Sequence, residues 1–205
     1  GFLGDWVYSN PVTVDMNYMG EVKMHPIADN MTSILSMAAL IAFVVWRMRV
    51  RNIPLTELGS LQLRRNDLIY GTVFLALFIL LEEIYMLLLG LEMPEGFIEF
   101  MLSEPLILGL ISVIIVAPIA EEFIFRGFLY SQLSRTKFGP WGAVTVSSLL
   151  WTIIHFQYEP LILVVLFGFG IFLGYIRMAY KSLSLPIALH AINNTFAFFM
   201  AYYFY

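Results

Sequence analysis

The sequence predicts an all-α, polytopic transmembrane helix bundle of about six spans, with an active-site core in its C-terminal half. Three observations predict the bundle. The 205 residues are 60% hydrophobic and only 13% charged, a balance outside the range of soluble domains. Apolar windows recur from Met31 to the C-terminus, each close to the roughly 20 residues a helix needs to cross a bilayer. Most of the Lys and Arg residues fall in alternate connections between those windows, as expected when cytoplasmic loops retain them.

Residues 1–30 mix Asp5, Asp15, Glu21 and Asp29 with prolines and aromatics and show no helical stripe, so they read as a polar extracytoplasmic segment in which His25 is solvated. The start, Gly1-Phe2-Leu3, has neither an initiator Met nor the basic, apolar, small-residue order of a signal peptide. It reads as a processed or truncated start. Six apolar segments follow, at about 31–47, 68–91, 105–130, 141–157, 160–179 and 184–205. Arg47, Arg49, Arg51, Arg64 and Arg65 separate the first two, Arg135 and Lys137 the third and fourth, and Arg177 and Lys181 the fifth and sixth. These three loops are expected to be cytoplasmic. The opposite connections carry Glu92, Glu95, Glu99, Glu104 and Glu159 and no Lys or Arg, so both termini are expected to be extracytoplasmic. The organisation is therefore a polar segment 1–30, two helices with a basic inner and an acidic outer loop at 31–104, and a core of four segments at 105–205. In the fifth segment, Gly170 and Gly174 have the small-xxx-small spacing that lets helices approach closely.

No cysteine is present, which excludes disulfides, thiolate metal sites and cysteine nucleophiles. The net charge of -4 is not the footprint of a nucleic-acid binder. Chemistry must come from polar residues inside the apolar segments, each of which costs several kcal/mol unless paired or wet. The third segment carries Glu121, Glu122 and Arg126, the fourth His155, and the sixth His190 and Asn194. Glu122 and Arg126 are four apart and share a helix face as a self-neutralising pair, whereas Glu121 points about 100° away. Glu121 is thus free to act as a base or ligand. Pro118, just upstream, removes a backbone donor where the site begins. His190 and Asn194 share one face, as do Trp151 and His155. A Glu with two His suits a water-activating base or a metal site, although no H-E-x-x-H motif occurs. Glu82 and Glu83 form a second acidic pair without a basic partner in their segment and read as polar glue or a wet lining.

In that order, Glu121-Glu122-x-x-x-Arg126, Trp151-x-x-x-His155 and His190-x-x-x-Asn194 resemble the three motifs of the CPBP family, the CAAX-prenyl-protease and bacteriocin-processing proteins also called Abi. The flanking Phe125-Arg126-Gly127-Phe128-Leu129-Tyr130 and Leu185-Pro186-Ile187-Ala188-Leu189-His190-Ala191 fit as well, and the resemblance covers about residues 105–200. Trp151 stands where the family usually has Phe, which keeps the aromatic character. The resemblance implies an intramembrane endopeptidase in a prokaryotic cell membrane, acting on a membrane-associated protein or peptide such as a CAAX-type tail or leader. In it Glu121 and His155 would activate water, His190 and Asn194 would stabilise the oxyanion, and Glu122, Arg126 and Trp151 would support them. It leaves open a divalent metal such as zinc, with Glu121, His155 and His190 as its ligands if one is bound.

Two other functions compete. A silent scaffold or bacteriocin-immunity-type partner would use the same bundle, but has no need of all four polar positions. A proton-coupled transporter could use Glu82, Glu83, Glu121 and Glu122, yet the sequence has no inverted repeat. Depth raises one difficulty. Glu121 and His190 suit a cavity on the cytoplasmic side, whereas His155 lies about 21 Å along a segment that starts in the cytoplasm. It is resolved if the fourth segment starts below the membrane surface or the break at Gln157 to Pro160 is buried within protein.

Overall fold

A computed structural model describes residues 15–16, 22–23, 26–102 and 106–204; His25, Glu104 and most of the polar N-terminal segment lie outside them. Among the described residues there are seven helices: α1 (Pro26–Val50), α2 (Arg65–Leu89), α3 (Glu95–Met101), α4 (Leu106–Leu133), α5 (Gly139–Ile153), α6 (Pro160–Tyr180) and α7 (Ser184–Phe204). A one-turn 3-10 helix, Leu55–Leu58, interrupts the first loop, and two-residue strands β1 (Asp15–Met16) and β2 (Val22–Lys23) pair antiparallel. The fold is all-α, as the composition predicts.

Four helices are long and apolar enough to cross a membrane: α1 from Asn30, α2, α4 and α6. The expected six thus become four by this measure, for two reasons. Helix α5 has only 15 residues, about 22 Å, because it ends at Ile153 rather than continuing to residue 157. Helix α7 is 21 residues long, but His190, Asn193 and Asn194 dilute its hydropathy. The acidic connection after α2 also contains a helix, α3, that the sequence reading missed. Met93, Phe97 and Ile98 pack there against Val113, Phe198 and Ala201.

The three basic loops converge on one end of the bundle. Ser60 N–H donates to Lys181 O at 3.0 Å and Leu183 N–H to Ser60 O at 2.8 Å, while Arg135 pairs with Glu57. At the other end the Phe97 ring meets Tyr158 edge-on at 6.4 Å. The alternation of basic and acidic connections is therefore an alternation in space as well.

Helix α4 is the axis of the molecule, and its winding is unusual. Two π-helical stretches, Ile111–Val116 and Phe123–Leu129, flank the α-helical Ala117–Glu122. Such widened turns often mark functional positions in helices. Helices α5 and α6 pack closest of all. A Cβ on Gly174 would lie 2.9 Å from Val144 Cγ1, and one on Gly170 3.0 Å from Ser148 Cβ. The glycine spacing read from the sequence is thus the α5 to α6 crossing. The main apolar core, including Leu75, Trp151, Phe169, Leu173 and Leu189, joins α2, α4, α5, α6 and α7.

Candidate active site

Glu121 and Glu122 face apart, as the 100° offset predicts. The Glu122 side chain is fully buried, and its Oε1 accepts Arg126 Nη1–H at 2.9 Å. Arg126 also donates to Gly170 O at 3.1 Å and lies over the Trp151 ring, 5.1 Å from its centre. Taking this arginine out of water is tolerable only with a counter-ion and acceptors of this kind. Glu121 faces the other way, with 14% of its side chain exposed. Its Oε2 accepts the indole N–H of Trp151 at 2.6 Å.

His190 reaches α4 from α7. Its Nδ1 lies 2.9 Å from the same Glu122 Oε1, and its Nε2 is 4.0 Å from Glu121 Oε2. Nδ1 donates to the oxygen that also accepts from Arg126, and Nε2 is left facing Glu121. The imidazole is boxed edge-on by Trp151 and Phe169, with centroids 5.8 and 5.5 Å away. Rotamer freedom is thereby removed from the ring that faces Glu121.

His155 lies just past the end of α5, and its Nδ1 lies 2.8 Å from Trp151 O. A carbonyl can only accept, so Nδ1 carries the proton and Nε2 the lone pair. The ring sits 4.8 Å from that of Trp151 and stacks at 6.1 Å on Tyr158. His155 thus joins the site through Trp151, on the side of Tyr158 and the acidic end. Much of its depth difficulty disappears, because Glu121 and Trp151 each lie twelve residues, about 18 Å, from the basic loop that joins α4 to α5. The fourth segment simply stops early. The break at Gln157 to Pro160 is not buried within protein, since Gln157, Glu159 and Pro160 are exposed.

Asn194 has a use that the sequence reading did not foresee. Its Nδ2 donates to Val113 O at 2.8 Å. In the first π stretch N–H groups bond five residues back, as Ala117 does to Ser112 O. In that register the partner of Val113 O is residue 118, a proline without an N–H. The Asn194 amide fills the gap that Pro118 leaves, and keeps its second N–H. The second π stretch is served alike, with Arg177 Nε–H donating to Arg126 O at 3.0 Å.

Residues 103–196 match the type II CAAX prenyl endopeptidase, Rce1-like family. Over that stretch, just under half of its length, the chain is similar to that family of membrane proteases. Its relatives include an uncharacterized 24.3 kDa protein of Escherichia coli, 29% identical over 78% of this chain and 74% of the relative. The membrane-embedded CAAX protease MroQ of Staphylococcus aureus is 32% identical over 40% of this chain and 34% of its own length. YdiL of Bacillus subtilis, whose name marks it as a candidate membrane peptidase, is 32% identical over 53% and 43%. The chain therefore spans about three quarters of the first relative and less than half of the other two. No solved structure matches.

The Rce1-like core brings Glu121, Glu122, Arg126, Trp151 and His190 into direct contact or within 4.0 Å of a neighbour, with His155 and Asn194 attached to its two sides. A metal fits this arrangement poorly. Among the described residues no three His, Asp or Glu side chains come together to hold an ion. Besides the Asn194 bond, two features of the site were not legible in the sequence. Trp151, in place of the family's usual Phe, does more than preserve aromatic character, since its N–H holds Glu121. Glu122 also serves His190 as well as Arg126. Glu82 is half-buried and Glu83 exposed on α2, and neither bonds a site residue among those described.

Proposed function

We propose that the chain is an intramembrane endopeptidase that hydrolyses a peptide bond in a membrane-associated protein or peptide, such as a CAAX-type tail or a leader. The observation that carries this reading is the pair of fixed groups facing each other, Glu121 Oε2 and His190 Nε2, 4.0 Å apart. That separation is too long for a direct hydrogen bond and suits a reacting oxygen between the two. Glu121, assisted by the free Nε2 of His155, takes a proton from water as its oxygen bonds to the carbonyl carbon. The oxyanion that forms is stabilised by His190 and by the second N–H of Asn194. Donors held ready in a site of low dielectric are worth several kcal/mol at this step. The C–N bond then breaks, and the proton held by Glu121 passes to the leaving amine.

One further feature supports an enzyme over a scaffold, and two others bear on its substrate and its orientation. Glu122 Oε2, Arg126 Nε and Ser148 Oγ are buried without a partner among the described residues, a cost that a purely structural bundle has no reason to carry. Likeness to a relative named a CAAX protease supports a lipidated or leader-type substrate. The basic loops support an orientation with both termini of this chain outside and six membrane-embedded segments, α5 and α7 included. The deciding measurement is substrate proteomics on membranes carrying wild type, Glu121→Gln or His190→Ala at matched levels. Processing should fall at least a thousandfold in Glu121→Gln. If no cleavage depends on either residue, the scaffold reading replaces this one.

A further inference from the structure

Where the basic loops meet, a cavity of about 270 Å³ lies beyond the second π stretch, bordered by Arg135, Arg177 and Lys181. Hydroxyls of Thr56, Ser60 and Ser134 join them. Among the described residues the one carboxylate on its wall is Glu57, and Arg135 already pairs with it. Arg177 is only 6% exposed, yet among the same residues none of its contacts is a carboxylate. Its guanidinium donates to Arg126 O at 3.0 Å, reaches Ser131 Oγ at 3.4 Å and Glu57 O at 3.5 Å, and lies 5.0 Å from the centre of the Tyr130 ring. Gly59 makes room for it, with φ at +112° and a notional Cβ 2.9 Å from Arg177 Cζ. A nearly buried cation without a counter-ion is expensive, and here it opens onto a cavity carrying two net positive charges.

We propose that this cavity binds the phosphate of an anionic phospholipid head group from the leaflet at the basic end. Planar guanidinium and hydroxyl donors together match the several oxygens of a phosphate. Depth fits too, because Arg177 and Ser131 lie in the last turns of α6 and α4, where head groups meet helix ends. Basic pockets between helices on the cytoplasmic side are a recurrent form of head-group site. The site is separate from Glu121 and does not depend on catalysis.

The full chain, purified and reconstituted in discs of phosphatidylcholine with or without phosphatidylglycerol, is examined by native mass spectrometry and thermal unfolding. Wild type should retain phosphatidylglycerol selectively and unfold at higher temperature with it. One basic side chain is worth about 1 kcal/mol to an anionic lipid, so Lys181→Gln should lower retention roughly fivefold. Thr56→Glu, which adds a negative charge at the exposed rim, should do the same. Lys137→Gln removes the same charge from the same end without touching the cavity and should leave retention unchanged. Equal retention of both lipids by wild type overturns the proposal, as does a loss in Lys137→Gln equal to that in Lys181→Gln. Displacement of the lipid by millimolar inorganic phosphate would keep the anion chemistry but sink the lipid source.

Discussion

Glu122 accepts two donors on a single oxygen, one from Arg126 and one from His190. Removing its carboxylate in Glu122→Ala leaves Arg126 buried and unpaired, and should cost about 3–5 kcal/mol, measured as thermal unfolding in detergent. An unchanged unfolding temperature would show that Arg126 needs no counter-ion. Trp151→Phe makes the opposite kind of test. It preserves the apolar wall and deletes only the N–H that holds Glu121, so the fold should survive while kcat drops roughly tenfold with little change in KM. The division between Glu121 and Glu122 was legible in the sequence, because a four-residue spacing to Arg126 selects one carboxylate and a 100° offset turns the other away. The Trp151 to Glu121 bond was not legible. It joins residues thirty positions apart, and only the packing of α5 on α4 brings them together.

Within α4 the interplay of Pro118, Val113 and Asn194 defines a double-mutant cycle. Asn194→Ala should orphan Val113 O at about 1–3 kcal/mol, and Pro118→Ala should supply a backbone N–H in its place. The double variant is expected to be more stable than Asn194→Ala alone by chemical denaturation; strict additivity would contradict the bridging role. Between α5 and α6, Gly174→Ile should cost about 1–3 kcal/mol by overpacking, since Val144 has nowhere to move. The sequence indicated this crossing through its glycine spacing. It did not indicate the π turns, in which Asn194 and Arg177 from other helices meet the carbonyls of Val113 and Arg126.

At the scale of the molecule, the segregation of charge was readable at once, because bilayer crossing leaves Lys and Arg on one side. The number of helices long and apolar enough to cross was overestimated, since the apolar run through residue 157 does not reveal that α5 ends at Ile153, and the polar residues of α7 dilute its hydropathy. The absence of cysteine makes orientation directly testable. Single cysteines at position 137 and at position 92, probed in intact cells with a membrane-impermeant thiol reagent, should be protected and labelled respectively. The reverse pattern would invert the molecule.

One consequence of the Trp151 environment is optical. Its indole touches Glu121, neighbours both imidazoles and lies under the Arg126 guanidinium, so every charge that changes during turnover is within a few ångströms of a fluorophore. With Trp6, Trp46 and Trp141 replaced by Phe, emission from this ring should follow the protonation of the reaction centre and the arrival of a substrate in real time. The chain therefore carries its own reporter, and its chemistry can be watched before any substrate is known.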